Sequence, residues 1–495
     1  MLVTYALLVI GAITTVYPFL LMISTGFKSA QDQDDSKLIP AYWSSDSALL
    51  DKYLDDKYAR NKPAISSTRI GDSASDKEVD LYERFLLQLP LDYWQPGFSN
   101  PPPNGVNCRL TNEYQRWVRT RYATVDDLNR AYIDENASFQ EVAPPPEQFE
   151  RRSWVQPQDR RYKEWQEFKS TLPAEFRIPI REQRIYQIWA QTHFQGQFKS
   201  VPPGVARDAK GFEELRLENA GSLREQFRQE GIPPRYAQKS VEDLWREFGG
   251  RGDLPIVGFE RHFLQQHGSE TRREFAGRNY AWALQFILVN GNSLWNTAIY
   301  CLLAIAAALF VNPLAAYALS RYPIKQSGKM LIFLLATMAF PAEVAMIPSF
   351  LLLRDLGMLN TFWALVLPGA ASGYTIFLLK GFFDSLPQEL FEAGSLDGAP
   401  ESTMMLRIAL PLSRPVLGYI ALLTFMAAYG AFIYAFLVVQ DRRMWTLTVW
   451  LYQLQLTAPK AVIMAGLTLA AIPTLVVFLL AQRVILRGIV LPGER

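Results

Sequence analysis

Several residue types and signatures are scarce in this chain, and each scarcity argues against a class of protein. Only two of the 495 residues are cysteine and three are histidine. Cys108 lies in a polar region and Cys301 in an apolar run, which argues against an internal disulfide and leaves the redox compartment undetermined. A formal net charge of +2 gives no indication of nucleic-acid binding.

Signatures of metal binding and ATP hydrolysis are also missing. His262 and His267 are five residues apart, whereas two metal ligands on one helix face are four apart, so no metal site is expected. The chain has no glycine-rich phosphate-binding loop of the Walker type, so it is not expected to hydrolyse ATP itself.

Long apolar runs are present, although the mean hydropathy of the whole chain is close to zero. A spanning helix needs about 20 apolar residues to cross the bilayer core. Six segments meet this length: Leu2–Phe27, Leu294–Leu319, Met330–Leu353, Phe362–Phe383, Val416–Val439 and Val462–Ile485. Six such segments favour an all-α polytopic membrane protein over a protein with apolar core helices. Three parts are therefore predicted: a first transmembrane helix (1–28), an inserted domain (29–285) and a membrane core (286–495).

The first segment could instead be a signal peptide. However, it has no basic N-terminal region, and its apolar stretch exceeds the typical length of about 7–15 residues. No small-residue cleavage site is evident, so a retained membrane anchor is favoured.

Lysine and arginine positions predict the orientation in the membrane. Basic residues expected on the cytoplasmic side are Arg321, Lys325 and Lys329 in a short loop and Arg483, Arg487 and Arg495 near the C-terminus. With an even number of spans, both termini are cytoplasmic and residues 29–285 are extracytoplasmic. Arg442 and Arg443 fall on the external side in this arrangement and disagree with the rule.

The most specific pattern lies in the predicted cytoplasmic loop between the fourth and fifth segments. Ser385 and Gln388 have the spacing of a capping box, and Pro387 falls in a first helical turn. A short helix is therefore predicted from about Leu386 to Leu396. Gly398 can adopt a positive φ and turn the chain.

A second short helix is predicted from about Pro400 to Ala409, because Pro411 would stop it. Met404, Met405 and Ile408 share one face of this helix.

The pattern Glu-Ala-x-x-x-Asp-Gly, then nine residues, then Ile-x-Leu-Pro resembles the EAA loop of ABC importer permeases. The matching residues are Glu392, Ala393, Asp397, Gly398, Ala399, Ile408, Leu410 and Pro411. Gly394 departs from the family, which usually has a second alanine there, and should loosen the helix by about 1 kcal/mol. In that family the loop seats in a groove of the cytoplasmic ATPase. It transmits the closure of the nucleotide-binding dimer to the membrane helices. The resemblance therefore implies that residues 385–415 couple the chain to an ATPase.

Further stretches resemble sugar-importer permeases of the maltose-transporter type, over nearly half of the chain. They are Tyr17–Lys28, Asn296-Thr297, Leu314–Arg321, Ile347-Pro348, Leu356–Thr361, Trp445–Leu447 and Ile472-Pro473. The resemblance implies six helices of the type I permease fold in the inner membrane, a sugar or oligosaccharide substrate and no cofactor. The implied partners are a second permease subunit, two copies of a cytoplasmic ABC ATPase and an extracytoplasmic solute-binding protein.

Two polar residues interrupt the apolar segments. Glu343 lies near the middle of the third segment, between Pro341 and Pro348, where a carboxylate costs about 2.5–3.5 kcal/mol on insertion scales. In a functional role, Glu343 would face the translocation path or the partner permease. In a purely structural role, it would hydrogen-bond a neighbouring helix. Asn312, just before Pro313, is predicted to stabilise a kink rather than to bind a ligand.

The polar region 29–285 has no counterpart in the usual permease. Its tryptophans predict a buried core, and helices are predicted at Glu113–Tyr132, Arg161–Lys169 and Glu213–Arg228, so a mainly helical domain is expected. Residues Tyr114–Tyr132 resemble a helical stretch of β-galactosidase-type glycoside hydrolases. Neither eight strand–helix repeats nor a catalytic carboxylate pair is recognisable in the region.

Two other protein classes compete with an importer subunit. One is a membrane-anchored glycan-binding or glycoside-hydrolase-like protein, and the other is a secondary transporter with internal repeats around a midplane site. Neither explains the EAA-like loop. The inserted domain is predicted to dock the binding protein or handle substrate, and a rigid spacer is the other interpretation.

Overall fold

A computed structural model describes residues 2–29, 32–58, 74–99, 109–136, 139–207, 209–285, 287–288, 292–338 and 341–488. Cys108 and Arg495 lie outside these residues. The described chain is mostly helical, as predicted. It divides into two compact units: the first contains Met1–Asn279 and Ala458–Ala461, and the second contains Tyr280–Thr457 and Val462–Arg495.

The first unit consists of an apolar helix and a helical domain with one small sheet. Its helices are α1 (Leu2–Gly26), α2 (Asp46–Tyr58), α3 (Asp76–Gln88), α4 (Arg109–Arg121), α5 (Val125–Tyr132), α6 (Arg160–Thr171), α7 (Glu182–His193), α8 (Pro203–Ala206), α9 (Leu223–Gln226), α10 (Pro234–Gln238), α11 (Val241–Glu247) and α12 (Ile256–Gln285). Strands β1 (Trp94–Pro96) and β2 (Arg177–Pro179) pair antiparallel. They form the only sheet in the described part of the chain, which shows no (β/α)₈ barrel.

Large aromatic side chains form the interior of this helical domain, as its composition predicts. Trp94, Trp165 and Trp245 are at most 1% exposed and belong to one apolar cluster. A second cluster surrounds Ile185 and Tyr186. Burying three indoles removes a large apolar area from water, which is the main contribution to stability in a domain of this kind.

Two lysines are buried beside these aromatic residues with their charges paired. Lys57 pairs with Glu260, whose carboxylate also accepts a hydrogen bond from Tyr58 Oη at 2.6 Å. Lys169 Nζ lies 2.7 Å from Glu147 Oε2. Desolvation by burial lowers the pKa of both lysines. Because a buried charge is costly without its partner, the pairs restrict how distant segments of the domain pack.

Two of the helices predicted in this domain are present, one of them in two pieces. Arg161–Lys169 lies within α6. Glu113–Tyr132 is divided between α4 and α5, because Thr124 begins a new helix by accepting a hydrogen bond from Asp127 N at 3.2 Å.

The third predicted helix, Glu213–Arg228, is present only in its last part, where α9 continues into a π-helical turn, Phe227–Gly231. Its residues form two 3₁₀ turns, Phe212–Glu214 and Leu217–Asn219, before α9 begins. Gly221 has a φ of +52°, a left-handed conformation that a continuous right-handed helix cannot contain.

The second unit contains helices of very different lengths. They are α13 (Ser293–Arg321), α14 (Ser327–Met338), α15 (Ala342–Asp355), α16 (Phe362–Val366), α17 (Gly373–Asp384), α18 (Gln388–Leu396), α19 (Glu401–Met404), α20 (Leu410–Leu412), α21 (Arg414–Gly430), α22 (Ile433–Val438), α23 (Leu447–Thr457) and α24 (Lys460–Gly488).

Three helices are long and apolar enough to cross a membrane: Thr4–Gly26, Ser293–Arg321 and Lys460–Gln482. They correspond to the first, second and sixth predicted segments.

Two further candidates are bent pairs of helices. Phe362–Gly369 and Gly373–Asp384 meet at 52° and make up the fourth predicted segment. Glu401–Leu412 and Arg414–Gly430 meet at 79°, which joins part of the predicted loop to the fifth segment. Up to five of the described helices or pairs thus pass as spans, and the count of six stays a prediction.

The third predicted segment, Met330–Leu353, is not one continuous helix. Helix α14 ends at Met338, and α15 begins at Ala342 with Pro341 as its N-cap. Proline has no N–H and disfavours the helical conformation in the residue before it. Glu343 therefore lies in the first turn of α15, where the helix dipole favours a carboxylate, and not at the middle of a helix.

Hydrogen bonds distinguish two opposite ends of the second unit. At one end, which we call the far end, Asn296 Nδ2 in the first turn of α13 donates to Arg443 O at 2.8 Å. At the other end, which we call the loop end, Arg321 donates to Phe383 O at 2.7 Å. Since α13 has 29 residues, the two ends are about 43 Å apart along its axis.

Candidate functional site in residues 385–415

The EAA-like loop, residues 385–415, lies at the loop end and begins with α18. This helix starts at Gln388 with Pro387 as its N-cap, two residues later than predicted. The predicted capping box of Ser385 with Gln388 is wrong. Ser385 instead terminates α17, and its Oγ donates to Phe382 O at 2.6 Å.

A glycine turn joins the two arms of the loop. Gly398 has a φ of +73°, as its position predicts. Its N–H donates to Ser395 O at 3.1 Å, and Ala399 N donates to Gly394 O at 3.0 Å. These two bonds constitute a Schellman motif, which ends α18 and satisfies its last carbonyl groups.

The second arm is longer than predicted. Helix α19 continues through a π-helical turn, Met405–Ala409, into α20, so the helical path passes Pro411 and ends at Leu412. The predicted end at Ala409 is therefore three residues too early, and Pro411 does not stop the helix. Ser413 closes the end of the arm by donating from Oγ to Ala409 O at 2.7 Å.

The two arms pack against each other through the predicted apolar face. Met404 and Met405 are buried in one cluster with Phe391 of α18, and Ile408 packs against that cluster. A Cβ placed on Gly394 would lie 3.4 Å from Met404 Sδ, an ordinary contact distance. Glycine at this position is therefore compatible with the arms' packing but not required by it.

Side chains from α13 attach the loop to the core. Tyr317 Oη donates to Glu401 Oε2 at 2.9 Å. The guanidinium of Arg321 lies over the Phe391 ring, 3.6 Å from its centroid, and donates to Phe383 O. Each arm of the loop thus has a direct contact to the same helix, and a displacement of the loop would be passed to α13.

The eight residues that match the EAA pattern divide into two groups. Glu392, Ala393, Asp397 and Gly398 are exposed, whereas Ala399, Ile408, Leu410 and Pro411 are partly buried. Leu396, which the pattern does not include, is 89% exposed beside Asp397. The outer surface of the loop therefore presents carboxylates and a large apolar side chain at the turn.

Asn312 has a larger role than the predicted stabilisation of a kink. It is 1% exposed, and its Nδ2 donates to Ala308 O at 2.9 Å and to Ala370 O at 3.1 Å. Its Oδ1 accepts a hydrogen bond from Ser372 N at 2.8 Å. Asn312 thus satisfies backbone groups that the break between α16 and α17 leaves without helical partners.

Glu343 is exposed in the first turn of α15 and is not part of the EAA-like loop, so the two predicted sites lie on different elements. The contacts of Tyr317 and Arg321 with the loop were missed, although both residues lie in the stretch Leu314–Arg321 that resembles the family. Their positions, one helical turn apart at the end of a span, were the available signal.

Comparison with known proteins identifies the membrane part of the chain. The family model "Binding-protein-dependent transport system inner membrane component" matches residues 312–490, which include the whole EAA-like loop. The "Probable ABC transporter permease protein YurM" of Bacillus subtilis is 35% identical over 202 residues, which are 40% of this chain and 66% of YurM.

Two other relatives carry names that specify a substrate. The "Galactooligosaccharides transport system permease protein GanQ" of Bacillus subtilis is 30% identical over 226 residues, 45% of this chain and 77% of GanQ. The "sn-glycerol-3-phosphate transport system permease protein UgpE" of Brucella abortus is 30% identical over 203 residues, 40% of this chain and 71% of UgpE. A chain of a bacterial ABC transporter for alginate import is 25% identical with a TM-score of 0.38, over 41% of this chain and 78% of that one.

Proposed function

We infer that this chain, which belongs to the family of binding-protein-dependent transport system inner membrane components, carries sugars or oligosaccharides across the membrane. It is a permease subunit and not an enzyme, since its relatives are transport permeases. The substrate class is supported by the name of GanQ, whereas UgpE's name specifies a phosphorylated polyol. The alternative of a membrane-anchored glycan-binding or glycoside-hydrolase-like protein is not favoured, because the matched family and the relatives above are transport proteins.

The coupling of this permease to ATP hydrolysis is assigned to the EAA-like loop. The observation that carries this proposal is the two-armed loop itself. Its turn is exposed at Asp397 and Gly398, and its arms contact α13 through Tyr317 and Arg321. A cytoplasmic ATPase that binds the turn would therefore move the end of a membrane helix. Two ATPase copies, a second permease subunit and a solute-binding protein complete the proposed complex.

Substitution of Leu396 tests this assignment. Because Leu396 is 89% exposed, Leu396→Asp should leave the fold intact and weaken binding of the ATPase by placing a charge in an apolar contact. Leu356→Asp is the matched control, since Leu356 is 61% exposed and follows α15 rather than lying in the loop. Co-purification of the ATPase with tagged permease should fall for Leu396→Asp alone. Equal recovery with both variants would contradict the proposed docking surface.

The proposed topology has six spans, cytoplasmic termini and an extracytoplasmic domain at residues 29–285. Within the second unit, this topology is supported by which residues lie at each of the two ends. Arg321 and the EAA-like loop share the loop end, while Arg443 and Asn296 share the far end. With the loop end cytoplasmic, Arg321 obeys the positive-inside rule and Arg443 is the exception.

The inserted domain is proposed to dock the solute-binding protein. An extracytoplasmic location would put the domain on the side from which the binding protein approaches, and its aromatic and arginine content suits a protein interface. Its two ends are adjacent, because Asn279 Nδ2 donates to Gly26 O at 2.9 Å and to Lys28 O at 2.7 Å. The domain can therefore be removed without separating the helices on either side.

Deletion of residues 29–278 with a four-residue Gly/Ser linker, which reaches about 10–12 Å, should leave a core that still assembles with its partners. Uptake at limiting substrate should fall, because the loaded binding protein is captured less well, while uptake at saturating binding protein should recover. Uptake kinetics identical to those of the intact complex would eliminate the docking role and leave the spacer interpretation.

A further inference from the structure

The segment that follows α1 folds back against the end of that helix. Ser24 Oγ, in the last turns of α1, donates to Lys37 O at 3.0 Å. Lys28 Nζ donates to the same carbonyl at 2.7 Å and pairs with Asp35. Tyr42 Oη donates to Phe27 O at 2.9 Å. Residues 37–42 are thus held beside the end of α1 rather than extending away from it.

This returning segment exposes apolar side chains next to the helix. Leu38 is 43% exposed, Ile39 64% and Trp43 43%. Their neighbours Pro40 and Tyr42 are buried, so the segment has an inner side that packs on the domain and an outer side that is apolar.

The location of the segment along α1 corresponds to the edge of a bilayer. Helix α1 has 25 residues and a length of about 37 Å, compared with a hydrocarbon core of about 30 Å. Its last turn, which includes Ser24, therefore lies in the headgroup layer when the helix spans the membrane. The hydrogen bond from Ser24 to Lys37 O places Leu38 and Ile39 at that same depth.

We propose that Leu38, Ile39 and Trp43 form an interfacial anchor that inserts into the boundary between lipid headgroups and acyl chains. The proposal requires only that α1 spans the membrane and is independent of the substrate or of ATPase docking. The anchor would fix the orientation of the inserted domain on the membrane surface.

Lipid is the occupant favoured by the surroundings of the segment. The segment is held against the end of α1, whose spanning window has no buried residue in the described chain. Tryptophan is enriched at membrane interfaces, and the Trp43 ring lies edge-on to Phe27, 5.5 Å between centroids, at the end of the helix. Lys28 is 1% exposed and has its charge paired with Asp35, so this lysine does not have to reach water through the apolar surface, and Lys37 at the start of the segment is already exposed.

Spin labels can test the anchor in the complete transporter reconstituted in lipid nanodiscs. A background with Cys108→Ser and Cys301→Ala would carry one new cysteine, Ile39→Cys or Leu38→Cys. The accessibility of each label to oxygen, which concentrates in lipid, is compared with its accessibility to a water-soluble nickel complex. At both positions the ratio of oxygen to nickel accessibility should be several-fold higher than at a water-exposed site.

Two reference positions make the result interpretable. Val155→Cys provides the water reference, because Val155 is an 82% exposed apolar residue of the helical domain. Leu20→Cys provides the lipid reference within α1, where Leu20 is 45% exposed. Ratios at residues 38 and 39 equal to that at residue 155 would overturn the proposal. Labels inaccessible to both reagents would also overturn it, since they would show that a partner protein covers the segment.

Discussion

Replacement of Gly398 should separate ATP hydrolysis from transport, because the turn of the EAA-like loop requires a positive φ at this residue. Its φ of +73° is a left-handed conformation, which costs an ordinary residue about 1–2 kcal/mol and a β-branched residue more. A Cβ at this position would meet no atom within 4 Å. The cost of substitution is therefore backbone strain alone, without crowding.

The expected magnitude follows from that strain. A penalty of about 1–3 kcal/mol on the turn shifts its population by about 5- to 150-fold. Gly398→Val should show the largest effect and Gly398→Ala a smaller one. Gly398→Asn is the matched control, since asparagine tolerates the left-handed region while adding a side chain of similar size to valine.

The assay measures ATP hydrolysis and substrate uptake on the same proteoliposomes. Uptake per ATP hydrolysed should decrease from glycine and asparagine to alanine and then to valine. If the Gly398→Val complex assembles and transports normally, the proposed role of the loop is wrong. If asparagine is as harmful as valine, the strain argument fails even though the loop remains important.

Two further predictions concern the membrane helices. Gly373→Ala should destabilise the purified complex by about 1–3 kcal/mol in thermal denaturation, because a Cβ there would lie 2.9 Å from the carbonyl carbon of Leu334. Gly381, on the same helix, has open space around it. Gly381→Ala should therefore be neutral or stabilising in the same measurement. Cysteines placed at Glu343 and at Ile347, one turn later on α15, should react with a water-soluble thiol reagent if this helix face lines the path, and absence of labelling at both would place it against protein or lipid.

The local conformation of the EAA-like loop was predictable because short-range chemistry determines it. Glycine at residue 398 is the residue type that a Schellman motif requires, and the face of Met404 and Met405 follows from helical periodicity. The capping box at Ser385 failed for a related reason. The same serine is compatible with the end of α17 and with the start of α18, and only the packed structure decides between them.

Breaks within the spans were harder to predict than the spans themselves. Apolar content and length predicted where the apolar helices lie, but neither quantity contains information on where a helix bends. Pro341 was visible as a breaker, yet its effect on Glu343 was underestimated. The interruption between residues 367 and 373 depends on Asn312, which is about 60 residues away in sequence and satisfies the backbone there. Such long-range partners cannot be read from periodicity.

The contacts of α13 with α17 connect the EAA-like loop to the broken span. Asn312 holds the break at Ala370 and Ser372, and Arg321 holds the other end of α17 at Phe383. A displacement of the loop would reach both helices together, because Arg321 also stacks on the loop's Phe391. Since α13 and α17 are joined at both ends of α17, we expect the pair to move as one body. The bend between α16 and α17 is then the place where the motion is absorbed, because its backbone lacks continuous helical hydrogen bonds.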